Sequence, residues 1–122
     1  MPERVRQQAE QSGRAAEYAA LWFLRFKGYR LLCWRYRSPK GEVDLIMRRG
    51  DVTAFIEVKV RASIDRAVES VTTYQSKRIA AAARSWMGRD PVAARQVCRF
   101  DIVALSPYHW PHHIENAFHG DN

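Results

Sequence analysis

"GEVDLIMRRGDVTAFIEVKVR", residues 41–61, decides how this chain folds. Two runs rich in Val, Ile, Leu and Phe are broken by "RRGD", which predicts a β-hairpin across Gly50. Each run carries an acid where strands disfavour one, Asp44 in the first and Glu57 in the second. Alternate residues of a strand share a face. Val52, Ala54, Ile56, Val58 and Val60 then form one apolar face, and Thr53, Phe55, Glu57, Lys59 and Arg61 the other. In the partner strand Val43, Leu45 and Met47 share a face opposite to Glu42, Asp44, Ile46 and Arg48.

Two turns fit the hairpin. With Arg49–Gly50 as the turn, Asp44 lies opposite Phe55 and diagonal to Glu57; with Gly50–Asp51, Asp44 lies opposite Glu57. Either turn collects Asp44, Glu57 and Lys59 on one face, the carboxylates within roughly 5–8 Å at their Cβ atoms. Facing carboxylates repel, and a hard divalent cation removes the conflict. Mg²⁺ takes one or two carboxylates and fills its remaining positions with water and phosphate oxygens. It lowers the pKa of a bound water and neutralises charge developing on a phosphate. Lys59 is placed to point at that water or phosphate, so the hairpin has the parts for metal-assisted phosphodiester hydrolysis. The competing reading is a set of salt-bridged residues on a solvent-facing sheet, where such pairs are worth little.

Around the hairpin, residues 1–11 lack apolar periodicity and read as a polar tail or an extra helical turn, leaving 12–122 as a single domain. Ala16, Ala19, Ala20, Phe23 and Leu24 recur at helical spacing, with Ser12 as N-cap and Gly28 as C-terminal stop. "YRLLCWRYR" is a strand and "SPKG" a turn. "ASIDRAVESV" reads as a loop, and "TTYQSKRIAAAARSWMG" as a helix capped by Thr72, with Gln75 three residues on and Gly88 ending it. "QVCRFDIVALS" is a strand and "HHIENAF" a short last one. The order α-β-β-β-α-β-β predicts an α/β fold, a mixed central sheet flanked by helices.

The 122 residues, 47% hydrophobic, suffice for one real core. No apolar run approaches membrane-spanning length, and the polar opening "MPERVRQQAEQSGR" reads as no secretory leader. Cys33 and Cys98 read as buried free thiols in a reducing, cytoplasmic compartment. Twenty Lys and Arg against 13 acids, a net +7, point to a polyanionic partner, most often nucleic acid, with an anionic membrane surface or plain solubility as the alternatives. Arg37 and Lys40 in "RYRSPK", Arg48, Lys77 and Arg78 in "SKR", Arg61 and Arg14 are the candidate phosphate contacts. No recognition helix or zinc finger is present for base-specific readout. His109, His112 and His113 do not fit closed zinc-site spacing. Trp22, Trp34, Trp86 and Trp110 are spread along the chain and read as core or interface positions rather than base-stacking platforms. Asp101 in "RFDIV" reads as a structural hydrogen-bonding residue.

"GRAAEYAA", "GEVDLIM", "FIEVKVR", "YQSKRIAAAA", "RFDIVAL" and "HHIENAF", in this order, resemble the bacterial YraN-like family of predicted endonucleases. That family is placed in the PD-(D/E)XK nuclease superfamily and is similar to archaeal Holliday junction resolvases. The resemblance covers residues 13 to about 118 and implies a restriction-endonuclease-like core. It implies Asp44 and Glu57 as metal ligands for Mg²⁺ or Mn²⁺ and Lys59 as the catalytic lysine. Glu17 would be the helical acid, bound to the metal directly or through water, and Gln75 the polar residue that orients the lysine or the substrate. The superfamily's proline before the aspartate is absent, Val43 standing there. From the residues alone, Glu17 can instead pair with Arg14 at i,i+3, and Gln75 can complete a capping box with Thr72. The expected activity is Mg²⁺-dependent hydrolysis of DNA phosphodiesters, with branched or Holliday-junction-like DNA as one substrate class. Its rival is a non-catalytic DNA-binding accessory or scaffold protein in repair, recombination or uptake. Homodimerisation stays open.

Overall fold

The computed structural model describes the backbone of residues 3–118 and the side chains of 13–118. The hairpin joins β2 (Gly41–Arg49) to β3 (Val52–Val60), with Arg49 paired to Val52, so Gly50 and Asp51 make the turn. Gly50 takes φ +60, which costs glycine nothing. Before it, β1 (Arg30–Ser38) pairs antiparallel with β2. After it, β4 (Val97–Leu105) lies parallel to β3, and β5 (His112–Ile114) closes the edge antiparallel to β4. The five-stranded sheet is thus mixed, in the order β1-β2-β3-β4-β5.

A parallel neighbour requires a crossover, and two helices supply it. One is α2 (Ile64–Glu69), in the segment expected to be a loop. The Ser63 side chain accepts the backbone N–H of Arg66 at 3.2 Å, a cap sufficient for six residues too few to display periodicity. The other is α3 (Thr73–Arg89), capped as expected by Thr72, which accepts the Gln75 backbone N–H at 3.1 Å. Gly88 does not end α3; Asp90 is the C-cap, its N–H on the Trp86 carbonyl at 2.9 Å.

The first helix, α1, spans Glu3–Phe26. It begins well before the expected cap, so Ser12 lies inside it and residues 3–11 extend the helix instead of forming a loose tail. Its end is as expected. The N–H of Gly28 (φ +96) reaches the Arg25 carbonyl and that of Tyr29 the Leu24 carbonyl, a paired C-terminal capping motif.

One helix covers each face of the sheet. Ala20, Leu21 and Leu24 of α1 pack on Leu45, Met47, Ala54, Ile56 and Val103. Ile79, Ala82 and Ala83 of α3 pack on Tyr36, Val43, Ile46 and Phe55. Each fully buried large side chain among these contributes about 1.5–3 kcal/mol. The approach of α3 is close enough to require Gly41, where a Cβ would stand 1.8 Å from the Arg78 carbonyl oxygen.

These two cores reveal a break in the alternation expected for β2. Leu45 and Met47 face α1 while Ile46 faces α3, yet Val43 also faces α3. The pairing skips from Trp34–Leu45 to Tyr36–Val43, leaving Arg35 and Asp44 between them, and Arg35 takes φ +57. The faces therefore swap at Asp44, freeing its side chain from either core.

Asp101 is structural, as read from the sequence. It is fully buried and accepts from Arg99, from His113 Nε2 at 2.8 Å and from the Asn116 backbone N–H at 3.0 Å. His113 Nδ1 meets Lys27 Nζ at 2.6 Å, which ties β5 back to the end of α1. Among the described residues no helix is long and apolar enough to cross a membrane.

Candidate active site

The β2–β3 ladder runs as far as Leu45–Ile56, and one residue further stand Asp44 and Glu57. Asp44 Oδ2 accepts the Val58 backbone N–H at 2.8 Å, so this side chain takes a place in the ladder and is fixed against β3. The neighbouring Glu57 is buried, and its carboxyl is hydrogen-bonded to Asp44. Burial first, then that hydrogen bond and the charge of Asp44, push the Glu57 carboxyl up to about 9 against the pull of Lys59. Near neutral pH Glu57 keeps its proton. Lys59, also buried, places Nζ 3.8 Å from Glu57 Oε2 and 3.2 Å from Gln75 Oε1. Both roles weighed for Gln75 are met in part, since its backbone N–H serves the Thr72 cap while its side chain holds the lysine.

Asp44, Glu57, Lys59 and Gln75 line a cleft of about 500 Å³ with Glu17, Ala16 and Gly13 of α1, Glu42 and the end of β3 up to Arg61. Alternation along β3 turns Glu57 and Lys59 to the α3 side, with Phe55, and away from the face on which α1 packs. The cleft thus opens where the sheet ends between the two helices.

Glu17 is buried as its alignment with Leu21 and Leu24 requires, but Arg14, the partner weighed for it, is exposed. Its Oε1 accepts from Trp34 Nε1 at 2.6 Å and from Arg35 Nε at 2.7 Å, and Oε2 from Arg35 Nη2 at 3.2 Å. Among the described residues no three acids, histidines or cysteines form a group able to hold a metal ion, and the Glu17 carboxylate is engaged by Trp34 and Arg35. The two remaining carboxyls still fit Mg²⁺ or Mn²⁺, which need no closed protein cage. Asp44 is fixed by the Val58 N–H, and Glu57 beside it carries a proton that a cation can displace.

The expected phosphate contacts divide. Arg14, Arg37, Lys40, Arg61 and Lys77 are exposed, and Arg61 borders the cleft. Arg37 borders a smaller extension lined by Glu17, Arg35, Glu42 and Asp44. Arg78 is engaged by Glu42 in a two-pronged ion pair. Arg48 is only 7% exposed and bonds Thr53, Gln96 and Asp90, so it braces the far end of the sheet and is not on the rim. His113 is spent on Asp101 and Lys27, while His109 and His112 border a separate cleft with Trp110.

Three participants went unread. Arg35 was seen only as one charge among several, and nothing in its neighbours announces a positive φ. Trp34 stands in the sequence as one of four dispersed tryptophans. Glu42 was assigned to a face but not to the cleft. The available signal was the pair Trp34–Arg35 in "WRYR", which puts an indole N–H and a guanidinium on one helical acid.

A model of the Uncharacterised protein family UPF0102 matches residues 16–105. A UPF0102 protein of Agrobacterium fabrum is 50% identical over 113 residues, 93% of this chain and 93% of its own. Another, of Mesorhizobium japonicum, is 46% identical over 121 residues, 99% of this chain and 97% of its own. A third, of Chelativorans sp., is 46% identical over 113 residues, 93% and 91% of the two chains. The matched span takes in Glu17, Glu42, Asp44, Glu57, Lys59, Arg61 and Gln75, and of the cleft's lining only Gly13 falls outside it. The chain therefore belongs to the UPF0102 family.

Proposed function

We propose that this protein is a divalent-cation-dependent nuclease of the PD-(D/E)XK superfamily that hydrolyses DNA phosphodiesters. One observation carries the reading: the half-buried Asp44 and the buried Glu57, hydrogen-bonded to each other, line an open cleft with Lys59 beside them. Burying a carboxyl against a second one costs free energy. A salt-bridged solvent-facing surface does not account for them, because Glu57 and Lys59 are both buried.

Asp44 and Glu57 would hold Mg²⁺ or Mn²⁺, Mn²⁺ the tighter by the usual order of affinities. Held there, the ion would supply an activated water and charge neutralisation at the phosphate for hydrolysis, which adds one water across a P–O bond. The chain's own groups do the rest. Asp44 is locked by the Val58 N–H, so its position does not depend on the ligand. Lys59 Nζ, steadied by Gln75, supplies a fixed positive charge to a phosphate oxygen or the attacking water. Exposed Arg61, Arg37, Lys40, Lys77 and Arg14 provide unspecific phosphate contacts.

The rival, a DNA-binding accessory without turnover, draws on Glu17, whose carboxylate is already taken by Arg35 and Trp34. Purified protein and its Asp44→Ala variant, incubated with linear, single-stranded, flapped and four-way DNA in Mg²⁺, Mn²⁺ or EDTA, separate the two. The nuclease reading expects cutting of at least one substrate that EDTA and Asp44→Ala abolish. Binding without cutting on every substrate leaves the accessory.

A further inference from the structure

The exposed aromatic side chains beside the cleft are not scattered. Tyr18 and Trp22 follow Arg14 at four-residue intervals on α1, with Phe26 next, so all four lie along one stripe of the helix. Tyr18 is 50% exposed, Trp22 45% and Phe26 89%. Trp34 of β1 joins them: its ring centre is 5.9 Å from that of Tyr18, which is 6.2 Å from that of Trp22. The Arg25 guanidinium lies 5.5 Å from the Trp22 ring centre. Trp22 and Trp34, distant in sequence and read there as separate core or interface residues, are thus two ends of one ledge.

The ledge is continuous with the cleft. The Trp34 indole N–H is bonded to Glu17, and Glu17 lines the cleft beside Asp44. Aromatic rings at the surface expose apolar area that a monomer gains nothing by exposing. Here they alternate with cations, Arg14 before and Arg25 among them, in a chain of net charge +7. Rings that accept a base face, interleaved with cations that take the phosphates between bases, make a surface for single-stranded nucleic acid. A second copy of the chain would bring those same cations against each other, which disfavours it as occupant.

We propose that Tyr18, Trp22 and Trp34 form a stacking ledge for unpaired nucleobases, so that the protein engages DNA with a single-stranded segment beside the phosphate in the cleft. This rests on the nuclease reading for the identity of the neighbouring site, but not for the binding itself. It selects among the substrates left open by the cleft: flaps, gaps and branch points expose unpaired bases, and a blunt duplex does not.

The test is metal-free binding, followed by anisotropy of a labelled oligothymidylate, a blunt duplex of equal length and a flapped duplex. Wild type is compared with Tyr18→Ala and Trp22→Ala. The ledge predicts that wild type prefers the single-stranded and flapped probes and that its tryptophan fluorescence is quenched by oligothymidylate. Trp22→Ala should weaken both by about tenfold while changing duplex affinity little. Equal losses on all three probes, or no preference for unpaired bases, overturns the ledge and leaves the nuclease reading intact. Preferential binding through Trp22 by a protein that never cuts does the reverse. A wild-type dimer that Trp22→Ala converts to monomer, with unaltered DNA affinity, assigns the surface to a second copy and also overturns the proposal.

Discussion

Glu57 holds its proton near pH 7 because burial and the neighbouring Asp44 make a second negative charge costly. Two consequences follow at the scale of this one residue. A cation that binds both acids must expel the proton, so affinity for Mg²⁺ rises with pH, by up to about tenfold per unit below about 9. Calorimetry at pH 7 in buffers of different ionisation enthalpy should register about one proton released per ion; none released would separate Glu57 from the metal. The sign for stability runs the other way. Between the ordinary 4.5 and about 9 the folded chain keeps a proton that the unfolded chain gives up, so stability falls as pH rises through that window. Glu57→Gln should flatten that fall, as thermal melts at pH 5.5 and 8.5 would record. The residue types at this site were legible in the sequence, because acids inside apolar strands have few bland explanations. Their electrostatic state was not. It depends on a turn register, Gly50–Asp51, that the sequence left open between two choices, and on burial by α3. The position of Arg48 was misjudged for a related reason: its charge suggested the surface, while Asp90, Thr53 and Gln96, distant in sequence, draw it inside.

Among the elements, the hairpin and α3 are held in contact by the absence of a side chain at Gly41. Gly41→Ala would drive a methyl into the Arg78 carbonyl, which cannot swing aside as a flexible side chain would. The expected cost is about 3 kcal/mol, read by urea unfolding. At the other end, Asp101→Asn keeps the size of the side chain but removes the charge to which Arg99 and His113 are bonded. About 3 kcal/mol of lost stability is expected, the usual consequence of leaving one member of a buried pair uncompensated. Burial alone would raise the Asp101 carboxyl, but His113, Arg99 and the Asn116 N–H hold it below its ordinary value. Its contribution is therefore present above that ordinary value and lost as the solution becomes more acidic. Most elements were readable from period and caps: both long helices, the hairpin and the two last strands. The exceptions have physical causes. Six residues of α2 are too few for a periodic signal, polar residues 3–11 are helical without an apolar stripe to mark them, and paired irregularities at Arg35 and Asp44 invert the faces of β2 without any glycine to announce them.

Over the whole molecule, a net charge of +7 coexists with a cleft that collects Glu17, Glu42, Asp44 and Glu57. Acids at the centre and cations around it suit a ligand that is itself anionic and brings or shares a cation. With Arg48 removed from the rim and Arg78 engaged by Glu42, five exposed cations remain. If all five contact duplex phosphates, log affinity falls with log salt at a slope of about −4.5. Arg48→Ala should lower stability and leave that slope unchanged, whereas Arg61→Ala should reduce its magnitude by about one unit. Binding does not itself distinguish a nuclease from an accessory, and Lys59 does. Its side chain is steadied by Gln75 beside the two acids, and the proposed nuclease would use it in the transition state more than on a bound phosphate. The decisive measurement is single-turnover cleavage of a flapped or branched DNA in Mg²⁺ or Mn²⁺, with wild type and Lys59→Ala compared beside their metal-free affinities. The account predicts that Lys59→Ala cuts about 10²–10³-fold more slowly while its affinity changes little. Equal cleavage rates for the two proteins would contradict it.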